Sequence, residues 1–133
     1  MRVLFLYCER FELETFRKAS EGVPDDERRE EAEDAVVCLV HSEDGDDGKT
    51  ATKLVKNAKW IAGKFGSKRI VLHFFAHLGE DRGNADLARE LLSGCRDRLE
   101  AAGYEARVMP FGYFCRLRFD VHGESLAKVF KVL

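Results

Sequence analysis

Apolar residues recur along this chain in two rhythms, and the places where one gives way to the other divide it into elements. Arg2 to Tyr7 is apolar on both parities, as in an interior strand covered on two faces. Phe11, Leu13 and Thr15 alternate with Glu12, Glu14 and Phe16, which predicts a second, half-exposed strand. Ser20 to Asp34 is polar and carries Gly22-Val23-Pro24, so it reads as a long loop or partly helical excursion. Ala35 to His41 is again continuously apolar, and Ser42 to Gly48 is an acidic, glycine-bearing loop. From Thr50 to Phe65 the spacing becomes three and four: Ala51, Leu54, Val55, Ala58, Ile61, Ala62 and Phe65 share one helical face. Gly66 supplies the stop.

The second half continues the alternation. Ile70 to Ala76 is apolar on both parities, and Ala85 to Ala102 predicts a helix with Leu87, Leu91, Leu92, Cys95 and Leu99 inward. Tyr104 to Met109 and Tyr113 to Val121 read as strands joined by Pro110-Phe111-Gly112. A short C-terminal helix is expected from Gly123-Glu124-Ser125, with Leu126, Val129 and Phe130 inward. Strands apolar on both faces need cover on both, so the pattern predicts a layered α/β class. No repeat or linker interrupts it, and residues 1–133 read as a single domain.

Charge adds an asymmetry. The net charge is −2, but Glu21 to Asp47 holds twelve acids against two bases, leaving 20 bases against 12 acids elsewhere. Lys49 to Leu78 carries seven bases and no acid. One face can therefore attract phosphates while the whole stays near neutral, and Lys53 and Lys56 on the outer side of the first helix are the candidate contacts. No apolar run reaches the ~18 residues of a membrane span. The four cysteines, Cys8, Cys38, Cys95 and Cys115, form no CxxC pair, which points to reduced thiols in the cytoplasm rather than a zinc knuckle or disulfide framework.

Candidate chemistry gathers at two strand ends. His77 closes the run Phe74-Phe75-Ala76-His77, at the carboxyl end of a strand where open α/β sheets place ligands. His73 reads as a packed histidine. On one strand the two would lie roughly 13 Å apart, too far to share a metal ion. Gly112 can take positive φ and free backbone N–H groups for a ligand. Cys115 shares the parity of Tyr113, Leu117 and Phe119 and reads as a small hydrophobe. No P-loop, GxGxxG or GxSxG motif is present, and neither a metal nor a cofactor is expected.

The opening Met-Arg-Val-Leu, Phe-Ala-His-Leu at 75–78 and Ala-Gly-Tyr…Pro-Phe-Gly-Tyr at 102–113 occur in one order and spacing. Together they resemble the N-terminal editing domain of archaeal threonyl-tRNA synthetases over essentially the whole chain. The resemblance implies a D-aminoacyl-tRNA deacylase-like fold, with β-sheet layers and helices packed on one side, assembled as a homodimer. It also implies hydrolysis of L-serine mistakenly esterified to threonine tRNA, a neighbouring aminoacylation domain and no cofactor. Separation from a longer synthetase would account for the lack of aminoacylation motifs. By this resemblance His77 is catalytic, and Ala76, Pro110, Phe111, Gly112 and Tyr113 surround the aminoacyl-adenosine.

The chain departs from the family pattern at Phe114 and Cys115, where tyrosine then lysine are usual, and at Lys128, where glutamate is usual. Phe114 and Cys115 are carried over as substrate contacts. Lys128 is expected to supply, from the final helix, the ammonium that position 115 lacks. Two rivals stand beside this reading. One is a D-aminoacyl-tRNA deacylase, disfavoured by the absence of Ser-Gln-Phe-Thr and Gly-Pro-Val-Thr type motifs. The other is a non-catalytic tRNA- or ligand-binding module.

Overall fold

A computed structural model describes all 133 residues, Met1–Leu133. The order is β1 (Arg2–Lys18), β2 (Arg29–His41), α1 (Gly48–Lys64), β3 (Arg69–Phe74), α2 (Ala85–Ala101), β4 (Glu105–Val108), β5 (Tyr113–Val121), a 3₁₀ turn (Ser125–Ala127) and β6 (Lys128–Val132). One sheet runs β4-β3-β2-β1-β5, with β6 also on β1. β2, β3 and β4 are parallel, and the remaining pairs are antiparallel. Residues 2–6 of β1 take β6 as neighbour, and residues 8–18 take β5.

The two strands expected between Arg2 and Phe16 are one 17-residue strand with a kink. Tyr7 and Cys8 are both buried and Glu9 and Arg10 both exposed, and the register against β5 shifts there. Val3, Phe5 and Tyr7 face one core; Cys8, Phe11 and Leu13 face the other. β2 changes face at the same level. Ala32 and Ala35 share a core three residues apart, and Asp34 between them takes φ +50°. A parity change in two paired strands bends both, so their outer halves curl over with β5 around a second, smaller core.

The expected 20–34 excursion is therefore half strand, since Arg29–Asp34 opens β2. Charges hid it. Arg10 meets Glu31 and Glu33 across the β1–β2 ladder, and Arg107 reaches Glu30 from β4, two strands away. Only Ala32 carries an inward apolar signal there.

Both helices cover the same face. α1 buries Ala51, Leu54, Val55, Ala58, Ile61 and Ala62, and α2 buries Ala88, Leu92, Cys95 and Leu99, against Phe5, Val36, Cys38, Ile70 and Leu72. Asp47 starts α1 with a capping box, accepting from the Lys49 and Thr50 N–H groups.

The expected C-terminal helix is absent. After the short 3₁₀ turn the chain is β6, because residues 2–6 of β1 would otherwise lack a partner on that edge. Of Leu126, Val129 and Phe130, the three residues expected inward, only Val129 packs against the core; Phe130 is 52% exposed.

Candidate functional site

The largest cleft, about 620 Å³, opens where β3 ends and the β4–β5 turn crosses it. Its wall from β3 and the following turn comprises His73, Phe74, Phe75, Ala76 and His77. The facing wall comprises Pro110, Phe111, Gly112, Tyr113, Phe114, Cys115 and Leu117, with Ala19, Arg82 and Ala85 completing the rim. β3 stops at Phe74, two residues before its expected end, so His77 lies in a turn and is exposed.

Backbone hydrogen bonds hold these walls in place. Phe75 N–H donates to Val40 O (2.8 Å), Met109 N–H to Leu72 O (2.9 Å) and Ala19 N–H to Gly112 O (2.7 Å). Gly112 has φ +80°, and a Cβ there would come within 2.7 Å of Val23 Cγ1, so a side chain is excluded by conformation and by space. Phe111 stacks on Phe74 with centroids 5.7 Å apart, and the Arg89 guanidinium lies 5.1 Å from the Phe111 ring. Neither the Ala76 nor the His77 N–H is used in the chain's own hydrogen bonds.

The turn carrying His77 and Arg82 is anchored from β2. Asp81 accepts from the Gly83 N–H at 2.9 Å and pairs with buried His41 Nε2 at 2.5 Å. The Gly83 N–H, then His41, hold the Asp81 carboxyl below the usual carboxylate range. Asn84 donates its N–H to Ser42 O (2.8 Å) and caps α2 at Leu87 N.

His73 differs from His77 in every respect that governs proton chemistry. It lies on the helix-free face of β3 with only 6% exposure, and its Nδ1 is buried without a partner. Burial pushes its pKa down to about 4, so the ring is neutral at physiological pH. Tyr113 lines the cleft with its ring, while its hydroxyl accepts from Asp26 N–H at 2.9 Å and donates to Pro24 O at 3.4 Å. Burial raises the Cys115 pKa, which keeps a thiol there rather than a nucleophilic thiolate. Nowhere do three or more His, Cys, Asp or Glu side chains group so as to hold a metal ion.

The structure thus brings together Ala76, His77 and Pro110 to Cys115. It does not bring Lys128 to them. The helix expected to aim Lys128 at the cleft is a strand, and its ammonium donates to His122 O (2.9 Å) and Glu124 O (3.2 Å). His122 follows Val121, the last residue of β5, which itself stands roughly 13 Å along the strand from Leu117, the farthest β5 residue lining the cleft. Lys53 and Lys56 are exposed on α1, also outside the cleft lining.

Sequence reasoning passed over His73, Arg82 and Leu117 as site residues. Leu117 shares the parity of Tyr113 and Cys115, a usable signal. Arg82 stands seven residues before Arg89, the period of one helical face, though only Arg89 lies within α2.

No helix is long and apolar enough to cross a membrane. The solved structure of the c-Myc DNA Unwinding Element Binding Protein superposes with a TM-score of 0.66 over 100% of this chain and 99% of its own, at 10% identity. That likeness concerns the fold alone, a D-aminoacyl-tRNA deacylase-like α/β layer structure. In sequence the chain is similar to the threonine–tRNA ligases of Nitrosopumilus maritimus (30% identical, 100% of this chain, 21% of the relative) and Methanopyrus kandleri (30%, 97% and 21%). That of Thermococcus kodakarensis is 26% identical, with 100% of this chain and 22% of the relative covered. The chain spans about a fifth of the length of these relatives. The family model described as the archaea-specific editing domain of threonyl-tRNA synthetase matches residues 1–133, and the chain belongs to that family of proofreading domains.

Proposed function

We propose that the cleft hydrolyses the ester joining L-serine to threonine tRNA. The observation that carries this reading is the convergence of the Ala76-His77 turn and the Pro110-Phe111-Gly112 turn on one cleft, in a chain of the editing-domain family. Serine lacks one methyl of threonine, a difference worth only ~1–3 kcal/mol to a synthetic site, so a second, smaller site is needed to remove the error.

In this mechanism water attacks the ester carbonyl carbon. The neighbouring 2′-hydroxyl of the terminal adenosine helps activate the water, and the bond to the ribose oxygen breaks to release serine. The unused N–H groups of Ala76 and His77 are suited to the developing oxyanion, and the His77 imidazole stands beside them at the mouth. Phe111, Gly112, Tyr113 and Phe114 offer aromatic and backbone surface to the terminal nucleoside. A thiol at Cys115 is compatible with the scheme because no covalent intermediate is required.

Arg82 on the rim, with Lys53 and Lys56 on α1, would meet tRNA phosphates. A second copy of this chain, the aminoacylation part of a synthetase and a cytoplasmic setting complete the reading; sedimentation tests the homodimer. Seryl- and threonyl-tRNA of threonine type are the test substrates. Serine-selective release supports the proposal. Release only from D-aminoacyl esters, or binding without release, would overturn it. A substrate ending in 2′-deoxyadenosine should be hydrolysed far more slowly; equal rates would remove the RNA-assisted step.

A further inference from the structure

His73 is the most buried side chain bearing ring nitrogens in the cleft lining, and it has no hydrogen-bonding task inside the chain. Its Nδ1 is sealed off without a partner. Nε2 is not among the buried unpartnered atoms and makes no bond within the chain, so it is the ring nitrogen with access to the cleft. Burying a polar ring without partners costs free energy that a phenylalanine at this place would not incur. Val71 on the same face packs into the second core, and Phe75, also on that face, lies 6.3 Å from the imidazole, so the setting is apolar. An unpaired nitrogen in such a setting discriminates strongly between ligands that satisfy it and ligands that do not.

The order in which a substrate must enter says what reaches that nitrogen. A tRNA can leave the cleft only through its mouth, where exposed His77, Arg82 and Phe114 stand. The part that goes deepest is therefore the tip of the acceptor end, the aminoacyl group. We propose that His73 is a specificity-determining residue that reads the side-chain hydroxyl of the aminoacyl group through Nε2. This rests on the seryl-ester reading above. With Nδ1 keeping its lone pair and the proton on Nε2, the ring donates to the hydroxyl oxygen. Serine is then recognised positively, by its hydroxyl, as well as admitted by its size.

The test compares hydrolysis of seryl and alanyl esters on the same threonine tRNA by the wild-type chain, His73→Phe and His73→Gln. Alanine is smaller than serine and lacks the hydroxyl, so exclusion by size cannot favour serine over it. The wild type should prefer the seryl ester by roughly 10- to 100-fold in kcat/KM. His73→Phe should bring the two rates within about 3-fold, mostly by slowing the seryl ester, and His73→Gln, which keeps an N–H donor, should restore part of the preference. Thermal melting of each variant checks the fold; if His73→Phe does not fold, the seryl-to-alanyl ratio of His73→Gln decides alone, and an unchanged alanyl rate with a reduced seryl rate is the expected sign. An unaltered ratio in a folded His73→Phe, or equal loss on both esters, would overturn the assignment. If the wild type hydrolyses neither ester, the functional reading itself fails, a different result from either.

Discussion

The two faces of the sheet are built to different standards. On the helix-covered face, α1 and α2 lay regular apolar stripes against Phe5, Val36, Cys38, Ile70 and Leu72. The opposite face exists only because β1 and β2 kink at Glu9 and Asp34 and carry β5 over a smaller core. That second core is left open at the end of β3, and the opening is the cleft. A closed layer supplies stability, and the incompletely covered face can hold a ligand because packing does not fill it.

Truncation on the closed face should have the largest effect. Leu92→Ala is expected to cost about 2–5 kcal/mol by leaving a hole between α2 and the sheet, read by urea unfolding. Retained seryl-ester hydrolysis below the melting transition would show that the faces are energetically separate. An open-face variant comes next. His73 has a pKa near 4 in the fold against 6.5 when free, so in acid the unfolded chain binds a proton that the folded one does not. Stability should therefore be fully present above about pH 6.5 and fall toward pH 4, by about 3 kcal/mol in all. His73→Phe should flatten that part of the stability–pH curve, and an unchanged slope would contradict the burial argument.

Gly112→Ala forces a side chain into positive φ and against Val23, and should cost roughly 1–3 kcal/mol. A larger proportional loss in hydrolysis than in stability is expected, because the shifted backbone lines the cleft. The smallest effect belongs to Lys128→Ala. Its ammonium is exposed and bonded to carbonyl oxygens beyond the far end of β5, so both stability (within about 1 kcal/mol) and seryl-ester hydrolysis should stay near the wild-type values. A tenfold drop in hydrolysis would require Lys128 to reach a cleft that its own chain keeps from it.

The helices were legible because each registers its buried face every three or four residues: the six residues α1 buries are all members of the stripe read from Thr50 to Phe65. Pro110 to Phe114 and His77 are legible as a turn and a strand end, and they do line one cleft, while Met109 before them is buried in the second core. The opening half of β2 was illegible because cross-strand ion pairs, including those of Arg10 with Glu31 and Glu33, replace the apolar alternation that marks a strand. His73 reads as packed from its strand pattern, and it is buried; that its ring also lines the cleft depends on how Phe111 in the β4–β5 turn and Leu117 on β5 approach from parts of the chain distant in sequence.

The sequence by itself determined the layered α/β class, the buried faces of both helices, the interior strands and the two segments that make the cleft walls. These are properties of local periodicity, which a short window contains. Only the tertiary structure decided that Arg2–Lys18 is one kinked strand, that the last segment is a strand and not a helix, and that Lys128 lies away from the cleft. Each of those outcomes depends on which distant edge is left to be paired. An unpaired backbone edge on β1 outweighs the weak helical spacing of Leu126, Val129 and Phe130, and no local pattern records that such an edge is waiting.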